Sequence, residues 1–143
     1  MICIKTQIPK EICDIDDELK AIYHSQDTVC IWVFSSREDR NNFLGIKNSK
    51  TSSSKVYIVP YGLEKTVSYG KGTSLGPKKI LNASQQLELY DIELGIEPSA
   101  ILSPKTLDIK NIPSSHVSAL KKLENIIDLI IESKKFPIVI GGE

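Results

Sequence analysis

Two stretches of this 143-residue chain carry residue types that could serve chemistry. The first is a loop over residues 61–76 containing Tyr61, Gly62, Ser68, Tyr69, Gly70, Gly72 and Gly76. The second is the run Phe136-Pro137-Ile138-Val139-Ile140-Gly141-Gly142-Glu143, where an apolar segment meets a glycine pair and a carboxylate. Hydroxyls, phenols and main-chain N–H groups hold ligands by directed hydrogen bonds, and glycine lets the backbone come close. A connection of about sixteen residues is longer than most in a compact domain. Connections of that length are functional or disordered, and the two tyrosines among four glycines favour a folded loop beside a ligand.

Other chemistries fail on spacing. Gly70-Lys71-Gly72-Thr73-Ser74-Leu75-Gly76 precedes a helix start, which invites a phosphate reading. A P-loop needs lysine and serine or threonine after its last glycine, but Pro77 follows Gly76; a dinucleotide fingerprint needs glycine where Leu75 stands. Only unspecific anion attraction by the helix start, with Lys78 and Lys79 nearby, survives. His24 and His116 lack a ligand partner at i+4 and the neighbours of a nucleophilic triad, so both read as surface histidines. The acidic run 14–18 has neither the glycine nor the spacing of a calcium loop and reads as a solvated helix face. Cys3, Cys13 and Cys30 form no CxxC pair, which argues for reduced thiols rather than a disulfide framework or a zinc site. Asn82-Ala83-Ser84 fits a glycosylation acceptor but falls inside an expected helix.

The elements that must position the two stretches follow from periodicity. Residues 56–60 read as a buried strand, a helix is expected over 77–89, and residues 138–140 form a continuous apolar strand. The clearest helix covers 115–133, with Leu120, Leu123, Ile127 and Ile130 as its stripe and Ser114 or Ser115 as its cap. Between these, 90–95 alternates as a short extended piece, and a strand is expected near Ile101-Leu102. Strand, helix, helix, strand is the grammar of a three-layer α/β/α arrangement with a mainly parallel sheet, here incomplete. Ligands in such sheets gather at the carboxyl ends of the strands, where both glycine-bearing stretches would emerge.

Upstream, Pro9 and the spacing of Ile12, Ile15, Leu19, Ile22 and Tyr23 predict a helix over 9–24. A strand over 28–34 and a loop or short helix over 35–42 follow. Residues 47–55 contain no apolar side chain and read as a flexible polar linker. The chain therefore divides into an amino-terminal extension, 1–54, and an α/β portion, 56–143.

Composition is that of an ordinary globular protein: 41% hydrophobic, 25% charged and formally neutral. No basic footprint for nucleic acid and no membrane-length apolar run is present in the sequence, and the opening residues lack a leader's apolar core. A cytoplasmic protein with neither nucleic-acid nor membrane partners is expected.

Taken together, Val59-Pro60-Tyr61, Val67-Ser68-Tyr69, the run from Gly72 through Gly76-Pro77 to Asn82-Ala83-Ser84, and Ile138-Val139-Ile140-Gly141-Gly142-Glu143 resemble the ureohydrolase (arginase/agmatinase) family, on its agmatinase-like side. The likeness covers about residues 56–143; Asn42-Phe43-Leu44-Gly45 is similar to the lead-in of some agmatinase-like members. It implies two Mn2+ ions that share a hydroxide and hydrolyse a guanidino substrate to urea and an amine. It also implies that Tyr61, Gly62, Ser68, Tyr69, Gly70 and Gly72 border the substrate. Gly141, Gly142 and Glu143 would lie next to the metals, whose ligands fall beyond Glu143. The expectations are then an inactive 143-residue chain that exposes apolar surface and self-associates, and a homo-oligomeric full-length enzyme. Where agmatinase-like loops read S-Y-R-P-G, this chain has Ser68-Tyr69-Gly70-Lys71-Gly72, which leaves agmatine, arginine or another guanidino compound open as substrate. A non-catalytic α/β binding or regulatory module is the competing reading, and a phosphorylated ligand on the glycine loop is a third.

Overall fold

The computed structural model describes residues 10–15, 19–25, 28–34, 36–48 and 50–142. Their order is α1 (Lys10–Cys13), β1 (Lys20–Ser25), β2 (Thr28–Val33), α2 (Arg37–Asn41), β3 (Val56–Tyr61), α3 (Gly76–Ser84), α4 (Pro98–Leu102), β4 (Lys105–Thr106), α5 (His116–Glu132) and β5 (Phe136–Gly141).

The sheet is organised on β3. This strand lies between β4 and β5 and runs parallel to both. Against β5 the register runs from Val56↔Phe136 to Tyr61↔Gly141, so both strands deliver their glycines at one edge. Alternation sends β3 side chains to opposite faces. Val56 and Ile58, with Ile140 of β5, meet Leu81 of α3 and Phe43. Tyr57 and Val59 meet Ile130 of α5, with Leu107, Leu123 and Ile126 around them. Helices thus cover both faces of a parallel sheet, giving the α/β fold that the apolar runs implied. Such a strand reads as a continuous apolar run because neither face meets water.

The amino-terminal segment departs from expectation. Instead of one helix over 9–24, only α1 is helical. Residues Lys20–Ser25 form β1, antiparallel to β2 from Lys20↔Val33 to Ser25↔Thr28. The helical spacing is overridden by a β-branched run close enough to pair as a hairpin, a contest that tertiary contacts commonly decide. The acidic run falls partly outside the described residues, and His24 lies in β1. As expected, a short helix follows, and Ser36 caps α2 by accepting from the Asp39 N–H at 3.1 Å.

The polar run 47–55 is anchored rather than loose. Asn48 accepts from the Thr106 N–H at 2.8 Å and donates to the Thr106 carbonyl at 3.1 Å. The buried Ser54 hydroxyl lies 2.8 Å from the Ser103 carbonyl. Just upstream, Phe43 N–H donates to Thr106 Oγ1 at 2.9 Å, and the Gln85 amide donates to the Arg40 carbonyl. Composition missed this because a polar segment can dock by hydrogen bonds without burying apolar surface.

Three further boundaries move. Helix α3 stops at Ser84 rather than running to 89; Leu81 is buried, and Leu87 lies past its end and is exposed. The expected extended piece at 90–95 is a turn closed by an Asp91↔Ile96 bridge, with Asp91 Oδ1 accepting from Glu93 and Leu94 N–H groups at 3.0 and 2.9 Å. Ile101 and Leu102 belong to α4, which has proline at its start, and the strand comes later, as β4. Helix α5 agrees closely in its span, although Leu120 of the expected stripe is exposed; Ser115 occupies its N-cap position, but its side chain makes no capping bond.

Candidate functional site at the carboxyl edge of the sheet

Where β3 and β5 end, the backbone itself makes the crossing. The Tyr61 carbonyl accepts from the Leu63 N–H at 2.9 Å and from the Gly142 N–H at 3.2 Å. The first bond spans two residues and turns the chain sharply out of β3. The chain returns over the same point. A Cβ on Gly142 would collide with the Leu63 carbonyl and stand 2.8 Å from that of Thr73, and one on Gly62 would collide with the Ser74 carbonyl. Gly62 and Gly142 are therefore required by backbone-on-backbone contact, while nothing lies within 4 Å of a Cβ on Gly141.

A residue that the sequence did not single out fixes the loop between them. Glu64 Oε1 accepts from Gly72 N–H at 2.8 Å, and its Oε2 accepts from Ser74 N–H at 3.0 Å and Ser74 Oγ–H at 2.7 Å. The Ser74 hydroxyl and the two backbone donors hold its carboxyl pKa down to about 2. Glu64 is separated from its partners by eight and ten residues, so no periodicity marks it; the only signal was an acid inside a glycine- and serine-bearing loop. Leu75, Gly76 and Pro77 then lead into α3.

The structure separates the loop residues into groups. Ser68, Tyr69 and Gly70 are exposed at the tip, and Gly72, also exposed, lies at the neck that Glu64 holds; Tyr69 is 98% accessible, and Gly70 and Gly72 have φ of +76° and +107°. Tyr61 is not with them. It is buried against α5, where its hydroxyl donates to the Ala119 carbonyl at 2.6 Å, and burial raises its phenol pKa. Glu143 lies outside the described residues. His116, the first residue of α5, is exposed. Beside the loop, on the β4 side of β3, a cleft of roughly 690 Å³ is lined by Gly62, Ser74, Lys78, Asn48, Glu38 and Asp108 among others.

A model of the arginase family matches residues 54–143, more than half of the chain and the span that holds the sheet and both glycine stretches. The chain belongs to the arginase family. Among similar proteins is the N(1)-aminopropylagmatine ureohydrolase of a Synechocystis species, 39% identical over 95 residues, which are 62% of this chain and 30% of that protein. Another is the agmatinase of Bacillus cereus, 33% identical over 93 residues, 63% of this chain and 31% of that protein. The chain thus spans about a third of the length of these relatives. No solved structure matches it.

Family membership implies a pair of manganese ions. Among the described residues, no group of three or more His, Cys, Asp or Glu side chains is placed to hold a metal ion. Among the described residues, Glu64, the carboxylate that follows Leu63 at the crossing, is committed to three loop donors. The described residues therefore do not fit the manganese pair, and no catalytic step can be derived from them. No helix among them is long and apolar enough to cross a membrane.

Proposed function

We propose that this chain is the amino-terminal part of an agmatinase-like, manganese-dependent ureohydrolase that hydrolyses a guanidino compound to urea and an amine, a reaction of polyamine metabolism. The observation that supports it best is the crossing at the sheet's carboxyl edge: the loop after β3 lies directly on Gly142. Open α/β sheets take their ligands at that edge. The tip carrying Ser68, Tyr69 and Gly70, with Gly72 at its neck, borders the substrate, and Gly62 fixes the loop's exit from the sheet. A guanidinium is a flat cation that an exposed tyrosine face attracts. Gly141, Gly142 and Glu143 stand next to a metal pair for which the described residues supply no ligand group, and the 143-residue chain alone is inactive.

The same reading makes the protein cytoplasmic, with a small guanidino substrate, no nucleic-acid or membrane partner, and a homo-oligomeric full-length form. Residues 1–54 are an extension of the α/β portion. The test is urea release. Expressed to the end of its reading frame and supplied with manganese, the protein should release urea from agmatine, N(1)-aminopropylagmatine or arginine, and the 143-residue chain should release none. No urea from any of the three overturns the reading in favour of a binding module, as would a stop codon directly after Glu143.

A further inference from the structure

The loop that the proposed function places beside the substrate has two mechanically different parts. Its neck is gripped by one carboxylate, through the three donors of Gly72 and Ser74. The other side of the neck bears on Gly142, where the Leu63 and Thr73 carbonyls leave no room for a side chain. The tip is differently placed: nothing lies within 4 Å of a Cβ built on Gly70, and Tyr69 is almost fully exposed.

A carboxylate suits this neck because all three groups facing it are donors. Its two oxygens offer about four lone-pair directions, and hydrogen bonds to an ionised acceptor are roughly twice as strong as neutral ones. A glutamine of the same shape would turn an NH2 group towards a donor and hold only one side of the neck.

We infer that Glu64 is a positioning residue: it fixes residues 72–74 against Gly142 at the carboxyl edge and so sets where Ser68 and Tyr69 are presented. The importance of that presentation rests on the loop's proposed role as the substrate border; the clamp itself does not. Glu64 touches neither substrate nor metal in this scheme, and its effect passes through the backbone of the neck.

Amide hydrogen exchange of the 143-residue chain, comparing wild type with Glu64→Gln, Glu64→Asp and Ser74→Ala, tests the clamp without any urea assay. In Glu64→Gln, exchange at Gly72 and Ser74 should accelerate at least about tenfold, as local opening becomes easier. The Gly142 amide, bonded to the Tyr61 carbonyl beneath the neck, should accelerate with them, while Ile58 and Val59 in β3 keep their rates. Ser74→Ala should give a smaller increase at the same amides, and Glu64→Asp should recover part of the protection. Unchanged rates at Gly72 and Ser74 overturn the inference. So does release of Gly72 and Ser74 with Gly142 unmoved, because the grip would then not reach the edge. Equal acceleration throughout β3 overturns it too, because the effect would be loss of the whole fold. Failure of urea release by the complete protein would leave these exchange rates where they are, so the two readings fail separately.

Discussion

Glu64 shows how much a single side chain can decide where the sequence has no pattern to offer. Its partners come from the far end of a long loop, and nothing at i+3, i+4 or i+2 betrays them. Tyr61 is the opposite case: its type and place at a strand end invited a role at the loop, yet strand alternation turns it into the α5 face of the core. The depressed carboxyl makes a pH prediction whose sign is fixed. Because the folded pKa, about 2, lies below the ordinary glutamate value of about 4.3, the clamp favours the folded loop most fully above that ordinary value. That contribution declines as pH falls from there through about 2. Protection of the Gly72 and Ser74 amides, taken relative to Val59, should therefore be flat above about pH 5 and drop on acidification. In Glu64→Gln the same ratio should be low and independent of pH. A wild-type ratio that stays level down to pH 2 would mean that the carboxylate does not hold the neck.

At the scale of elements, the readable pieces were those whose burial pattern is local. Helix α5 announces itself through a long apolar stripe, and β3 and β5 through continuous apolar runs. The misread ones depend on partners far along the chain or on a choice between two local possibilities. Thr106, which Asn48 engages, is 58 residues away, and β1 chose a hairpin over a helix that its spacing also allowed. The end of α5 carries a testable strain. Lys135 N–H reaches the Ile130 carbonyl at 3.1 Å and Lys134 N–H the Ile131 carbonyl at 2.8 Å, a Schellman closure that needs a left-handed residue after the cap. That residue is Lys134, at φ +56°, where a Cβ costs about 1 kcal/mol that glycine avoids. Lys134→Gly should raise stability by about 0.5–1 kcal/mol, seen as a higher urea midpoint at unchanged slope. Lys134→Ala, which keeps the Cβ, should give no such gain. Equal gains from both would trace the effect to the lost charge instead.

For the molecule as a whole, the sheet order places β5 at one end, and among the described residues no strand pairs with its outer edge. The run 138–140 has the composition of a strand covered on both faces, yet Ile138 and Val139 are 42% and 41% exposed and Phe136 65%. Helix α5 adds exposed Val117, Leu129 and Ile131. An open edge with apolar side chains is a template for pairing with another chain, since its free N–H and C=O groups are already extended. The 143-residue chain should therefore self-associate in sedimentation equilibrium at micromolar concentration and above. Val139→Lys places a charge on the outermost strand, where a long side chain can still reach water, and should shift the population towards monomer while lowering the unfolding free energy from urea titration by no more than about 1 kcal/mol. A wild-type chain that sediments as a monomer throughout would show that these residues are shielded by the chain itself. An equally associated Val139→Lys would place the contact elsewhere, on the exposed face of α5 or on the hairpin of β1 and β2.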